Sequence, residues 1–176
     1  MKASVYIGTS LDGFIARTDG DIDWLTPYAD DDAIHAYEQF MKEIDVIAIG
    51  RGTFEKVLSF PAWPYDKKTF IMSSSLKQLP DTIKNKATLL SIKPQELLSY
   101  LSGMGFSSVY IDGGKLIQSF LAEDLINDLI ISKVPVLIGN GIPLFGFLSA
   151  DLQFKHMRTE TQSNGLVRSY YKRESK

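Results

Sequence analysis

Three short stretches of the chain combine glycine or serine with hydrogen-bond donors. "GRGTFE" runs from Gly50, "SSS" covers Ser73, Ser74 and Ser75, and "DGGKLIQSF" begins at Asp112. Each follows an apolar run, "VIAI", "TFIM" and "SVYI" respectively. A strand that passes through glycine into a helix leaves free N–H groups at the positive end of the helix dipole, which favours an anion. Arg51 and Thr53 add donors at the first stretch and three hydroxyls do so at the second. At the third, Gly113-Gly114 lets a ligand approach the main chain closely. Singly, each has an ordinary reading as a turn or a helix start. At successive strand ends they suit one extended dinucleotide, which needs all of them.

Other patterns carry less. Ser74-Ser75-Leu76-Lys77 fits S-x-x-K, but the companion motifs of penicillin-binding enzymes are absent. "GNGIPLFG" only approaches the dinucleotide fingerprint, and no phosphate-binding helix is expected after it. Asp31, His35 and Glu38 share a helical face, yet they form too small a ligand set for a metal and read as a solvated surface. No metal is expected.

The elements that position these residues follow from periodicity. Strands are expected near 2–8, 45–50, 68–73, 87–91, 107–112, 125–138, 150–160 and 165–173. Helical patterns lie between several of them. "DDAIHAYEQFMKEI" opens with acids suited to a helix N-terminus and sets Ile34, Tyr37, Met41 and Ile44 on one face. "RGTFEKVL" is a short helix, "KPQELLSYLSGMG" starts with proline and ends at glycine, and "GKLIQSFLAED" follows the glycine pair. Helices alternate with strands first, and strands dominate last. The fold class is therefore α/β, with a mostly parallel central sheet flanked by helices and antiparallel strands at the C-terminal end. Ligands of such sheets bind beyond the carboxyl ends of the strands, where the three stretches fall.

The 176 residues, 44% hydrophobic and 23% charged, fit a single domain over 1–176. The absence of cysteine excludes disulfides and thiolate catalysis. A net charge of -2 gives no basic footprint for nucleic acid. No apolar run has membrane-spanning length and no signal-peptide layout opens the chain, so a cytoplasmic protein without a membrane partner is expected.

Taken in order, these strand ends resemble the dihydrofolate reductase-like superfamily. The closer likeness is to the C-terminal reductase domain of the bifunctional riboflavin-biosynthesis deaminase/reductase and its stand-alone relatives. It rests on "SLDGFIA" with Trp24 downstream, "GRGTFE", "SSS", "IDGGKLIQSFL" and the late "PVLIGNGIPLF", and covers nearly the whole chain. The resemblance implies an NADPH-dependent reductase that passes hydride to a small heterocycle of pterin or ribosylaminopyrimidine type. No deaminase half accompanies it, so a reductase role alone is expected.

The resemblance also implies roles. Gly8, Ile15 and Ala16 flank the nicotinamide within a loop that closes over it, because hydride transfer needs the rings close and water excluded. Asp12, with Gly13, makes the turn of that loop and falls with Trp24 and Ser132 to the substrate side. Gly50 and Arg51 with Ser73 and Ser74 hold the 2′-phosphate end. Thr53, Gly113, Gly114 and Lys115 hold the pyrophosphate, across a peptide expected to be cis. Dihydrofolate reductases carry an acid on the first helix. The ungapped match here is Ile34, which makes dihydrofolate a poor expected substrate and leaves Asp31, almost a turn earlier, as the candidate catalytic acid. Rival readings are a nucleotide-binding protein without turnover, dihydrofolate reductase itself, and a dimerisation module with ordinary turns. The long late strands, whose edges invite pairing, and the resemblance together imply a homodimer.

Overall fold

The computed structural model describes residues 1–174. The β-branched runs form strands β1 (Lys2–Thr9), β3 (Val46–Gly50), β4 (Lys68–Met72), β5 (Ala87–Leu90), β6 (Ser108–Asp112) and β7 (Asp128–Lys133). These six are parallel, in the order β5-β4-β3-β6-β1-β7. The sheet is completed by β10 (Val167–Arg173), antiparallel to β7, and by β9 (Phe154–Thr161), antiparallel to β10. Central strands such as β3 are buried on both faces, as a parallel sheet covered by helices requires.

Each face has its own core. On one, Val5, Ala48, Phe70 and Ile111 pack with Leu97 and Leu101 of helix α3 (Pro94–Gly103) and with Ile117 and Phe120 of helix α4 (Gly114–Ala122). On the other, Ile47, Ile49, Ile71 and Tyr110 meet Phe54 of helix α2 (Arg51–Leu58) and Tyr37, Phe40 and Met41 of helix α1 (Asp31–Lys42). No residue of α1 is fully buried. The helix instead rests on an aromatic bed, with Phe40 5.1 Å from Tyr6 and 5.3 Å from Tyr110 between ring centres. Its first turn is capped by Asp30, which accepts from the Ala33 N–H at 2.9 Å. The second oxygen of Asp30 accepts from Asn164 in the β9–β10 turn, so the cap also fixes the helix start to the antiparallel arm.

Three expectations are corrected. The strand expected over 125–138 is Asp128–Lys133 alone. Pro135 has no N–H for a ladder, and the chain beyond it turns to pair with the loop after β1 through the Leu11 N–H to Val136 O bond. The strand expected over 150–160 begins only at Phe154. Two short strands went unforeseen: β2 (Phe14–Ala16) pairs antiparallel with β8 (Ile142–Pro143) and forms a separate small sheet.

Candidate active site

Because β3 and β6 are neighbours, the helices that follow them begin side by side. Gly50 precedes α2, and Gly113 precedes α4. Gly113 sits at φ +101°, a region that side chains with a Cβ disfavour, and a Cβ there would lie 2.3 Å from Thr53 Oγ1. A Cβ on Gly114 would lie 2.9 Å from Ile15 Cδ1. The two glycines thus keep open a seam between α2, α4 and the loop after β1. The cis peptide expected there is absent, since the described chain contains none; the positive φ of Gly113 makes the turn instead. Lys115 is an exposed cation in the first turn of α4, where the helix dipole opposes it unless an anion is near.

At the end of β4 the serines divide their work. Ser73 Oγ accepts from the Leu76 N–H at 3.0 Å and so holds the turn. Ser74 is exposed, and Ser75 Oγ accepts from Arg51 Nη1 at 3.0 Å. Arg51 is itself exposed and also lies 3.5 Å from Glu55. Arg51 and the serine turn are brought together as expected, with Ser75 as the contacting hydroxyl.

The loop after β1 is held at several points. Asp12 accepts from Ser10 Oγ at 2.5 Å and from the Gly139 N–H at 2.8 Å, which depresses its pKa. Its carboxylate is therefore a clasp between two loops. Ala16 is buried, and Ile15 faces the Gly114 seam. Trp24 is 6% exposed and packs with Val134 and Leu166. Its neighbour Leu25 covers Gly8, with Cδ2 2.7 Å from where a Gly8 Cβ would be.

The acids are arranged differently from the sequence expectation. Asp31 is exposed at the start of α1, while the cap belongs to Asp30. Ile34 is 49% exposed. A half-buried carboxylate is Asp112, the last residue of β6, next to Gly113. Burial pushes its pKa up to about 6, with the Gly113 N–H and nearby tyrosine hydroxyls opposing. Tyr65 reaches it at 3.4 Å. Burial and the Asp112 charge raise Tyr37 to about 12 and push Tyr65 and Tyr110 up as well, so all three stay neutral donors. Sequence reading passed over Asp112 as a strand end. Its position directly before the glycine pair was the available signal.

Ser132 is buried, pairs in register with Gly8, and accepts from Arg168 Nε at 3.1 Å.

Residues 4–168 match the family model described as the RibD C-terminal domain. The chain belongs to that family. As a RibD C-terminal domain it is 34% identical to the uncharacterized protein YwjB of Bacillus subtilis, over 98% of each chain. A crystal structure of a Shewanella sp. PV-4 protein named for riboflavin biosynthesis superposes with a TM-score of 0.91 at 38% identity, covering 99% of this chain and 100% of that one. The deaminase/reductase of Thermotoga maritima superposes at 0.77 with 15% identity, covering 98% of this chain and 56% of that longer one. Dihydrofolate reductase of Enterococcus faecalis, at 0.72 and 13% identity over 99% of this chain and 97% of that one, shares the fold. The RibD-type domain is thus built on the dihydrofolate reductase-like architecture.

Proposed function

We propose that the protein is an NADPH-dependent reductase of a small heterocycle, of the riboflavin-biosynthesis type. The supporting observation is the seam at Gly113: two helix N-termini and a threonine hydroxyl converge where a Cβ cannot fit, one residue beyond a half-buried carboxylate. Those residues suit a dinucleotide. Thr53, the N–H groups at Gly113 and Gly114, and Lys115 would hold the pyrophosphate. Arg51 with the Ser73–Ser75 turn would hold the 2′-phosphate. When bound, NADPH supplies a hydride. Asp112 holds a proton at a carboxyl whose pKa of about 6 lies near working pH, the range in which a general acid is most effective. The Tyr65 hydroxyl orients that carboxyl. Leu25 and Ile15 line the approach with apolar surface and exclude water. With Ile34 at the matched position of α1 and Asp31 exposed at the helix start, a substrate would take its proton from the sheet side.

The test is direct titration with NADPH and NADH, then NADPH oxidation over a panel of pterins and ribosylaminopyrimidines. Arg51→Ala should lose a charge-assisted hydrogen bond worth about 1.5–3 kcal/mol. That weakens NADPH roughly 10- to 150-fold and leaves NADH nearly unchanged. Equal losses for both cofactors would show that Arg51 does not read the 2′-phosphate. The rival reading, a binding protein without turnover, predicts normal NADPH affinity and no oxidation with any of the panel.

A homodimer is part of the same reading. The β9 strand lies at the sheet edge with six of its eight residues exposed, an open edge of the kind that pairing covers. Light scattering across micromolar concentrations should give twice the 19.7 kDa chain mass, and the monomer mass throughout would refute it.

A further inference from the structure

Helix α1 has a second flank. Asp32, His35 and Gln39 stand on the side of the helix away from Tyr37, and with β7, β10 and β9 they enclose an open cleft of about 630 Å³. Its walls include the Phe40 and Tyr170 rings, and its floor includes Arg168 and Tyr6. None of Gly50, Arg51, Thr53, Asp112 or Gly113 lines it, so the cleft is separate from the seam assigned to the cofactor.

Two floor groups are buried with donors to spare. Arg168 is 2% exposed and carries five N–H groups. Among the described residues it makes one hydrogen bond, to Ser132, and one ion contact at 3.6 Å, to Glu160. Glu160 is already taken: Arg158 Nε donates to one oxygen at 2.9 Å and the Tyr170 hydroxyl to the other at 2.9 Å. The Tyr6 hydroxyl is buried beside the same guanidinium and has no hydrogen-bond partner among the described residues. A buried cation without a close, well-aligned carboxylate is unfavourable, and so is a buried hydroxyl without a partner. Both deficits are met by the same thing, an oxygen acceptor entering the cleft.

We propose that this cleft binds a small aromatic carboxylate. The guanidinium fork matches the two oxygens of a planar carboxylate, and the free hydroxyl adds a third donor. The ring would lie against Phe40 in the wall of the cleft, since the Arg158 guanidinium already covers one face of Tyr170 at 3.6 Å. Among the acids of the cleft, Asp128 is neutralised by Lys2 and Glu160 by its two close donors. Asp32 and Glu43 are exposed at its rim, Glu43 4.0 Å from Lys2, and Arg158 and Lys172 also line it. The cleft therefore offers positive charge at its floor and mixed charge at its mouth.

Benzoate is the probe, with benzamidine as the cationic control of the same shape, in the absence of NADPH so that the reductase reading does not enter. The readout is the Arg168 Nε–Hε resonance together with calorimetry. Benzoate should shift that resonance saturably and benzamidine should not. Tyr6→Phe removes a hydroxyl that lies near Ser132 but makes no well-formed hydrogen bond among the described residues, and should weaken benzoate about 3- to 10-fold, the worth of one hydrogen bond. Arg168→Met should weaken it at least about 10-fold; should that variant fail to fold, Tyr6→Phe decides. No saturable shift, equal binding of benzamidine, or unchanged benzoate affinity in Tyr6→Phe would each overturn the proposal.

Discussion

Two charged groups, Asp112 half-buried and Arg168 fully buried, lie on either side of α1, and they are held in opposite ways. Among the described residues Asp112 has no cation against it, only neutral donors: the Gly113 N–H and the Tyr65 and Tyr110 hydroxyls. It meets burial by keeping its proton at higher pH. Arg168 has no such option, because a guanidinium stays charged at any accessible pH. It meets burial through Ser132, a loosely placed Glu160 and the face of Tyr6, 5.6 Å from its centre. The carboxyl side is thus switchable by pH and suited to moving a proton, whereas the guanidinium side is fixed and suited to gripping. One helix, resting on Tyr6 and Tyr110, separates the two groups.

The largest effect that could break this contrast is on turnover. Asp112→Asn keeps the shape and loses the proton, so NADPH oxidation with a productive substrate should fall about 100- to 10,000-fold while NADPH affinity stays within about 2-fold. Stopped-flow turnover beside fluorescence titration separates the two. Undiminished turnover would reduce Asp112 to a structural group.

A smaller effect sharpens the contrast through stability. A carboxyl raised from 3.8 to about 6 keeps a proton in the folded state that the unfolded chain has released. Stability from this group is therefore complete below about pH 4, falls as pH rises toward 6, and stays low above it. The full span is about 3 kcal/mol. Asp112→Asn should match the wild type near pH 4 and exceed it by about 1–3 kcal/mol at pH 8. Arg168→Met should change stability by less than about 2 kcal/mol, since Glu160 keeps Arg158 and Tyr170, and by the same amount at both pH values. Urea unfolding at pH 4 and 8 distinguishes them. A flat Asp112→Asn difference, or a pH-dependent Arg168→Met difference, would show that the two sites are not held as described.

The sequence made the layered fold legible because its elements are long and their periods distinct. The continuous run "VIAI" and the Pro-to-Gly helix from Pro94 needed no tertiary information. The strand ends were readable for the same reason, since Gly50, Arg51, Gly113 and Gly114 directly adjoin strong elements. Three things were hidden. The β2–β8 pair has only three residues against two, too few for a period to emerge. The environment of Asp112 is assembled from Tyr37, Tyr65 and Tyr110, whose proximity only the sheet order creates. In "VRSYYKR", Arg168 reads as the outward residue of an edge strand. It is buried because β10 lies inside β9 and Ser132 faces it.

The Asp12 clasp has a consequence in time. The loop after β1 is joined to segment 136–144 by the Leu11 N–H to Val136, the Gly139 N–H to Asp12, and the Leu144 N–H to Gly13. That segment is in turn tied to α4 by Gln118, which donates to the Pro143 carbonyl at 2.8 Å. Neither loop can lift without breaking bonds to the other, so the pair opens as one flap and its amides exchange with solvent as one cooperative group. In hydrogen exchange, Leu11, Gly139 and Leu144 should share one opening free energy, and three well-separated values would mean that the loops move independently.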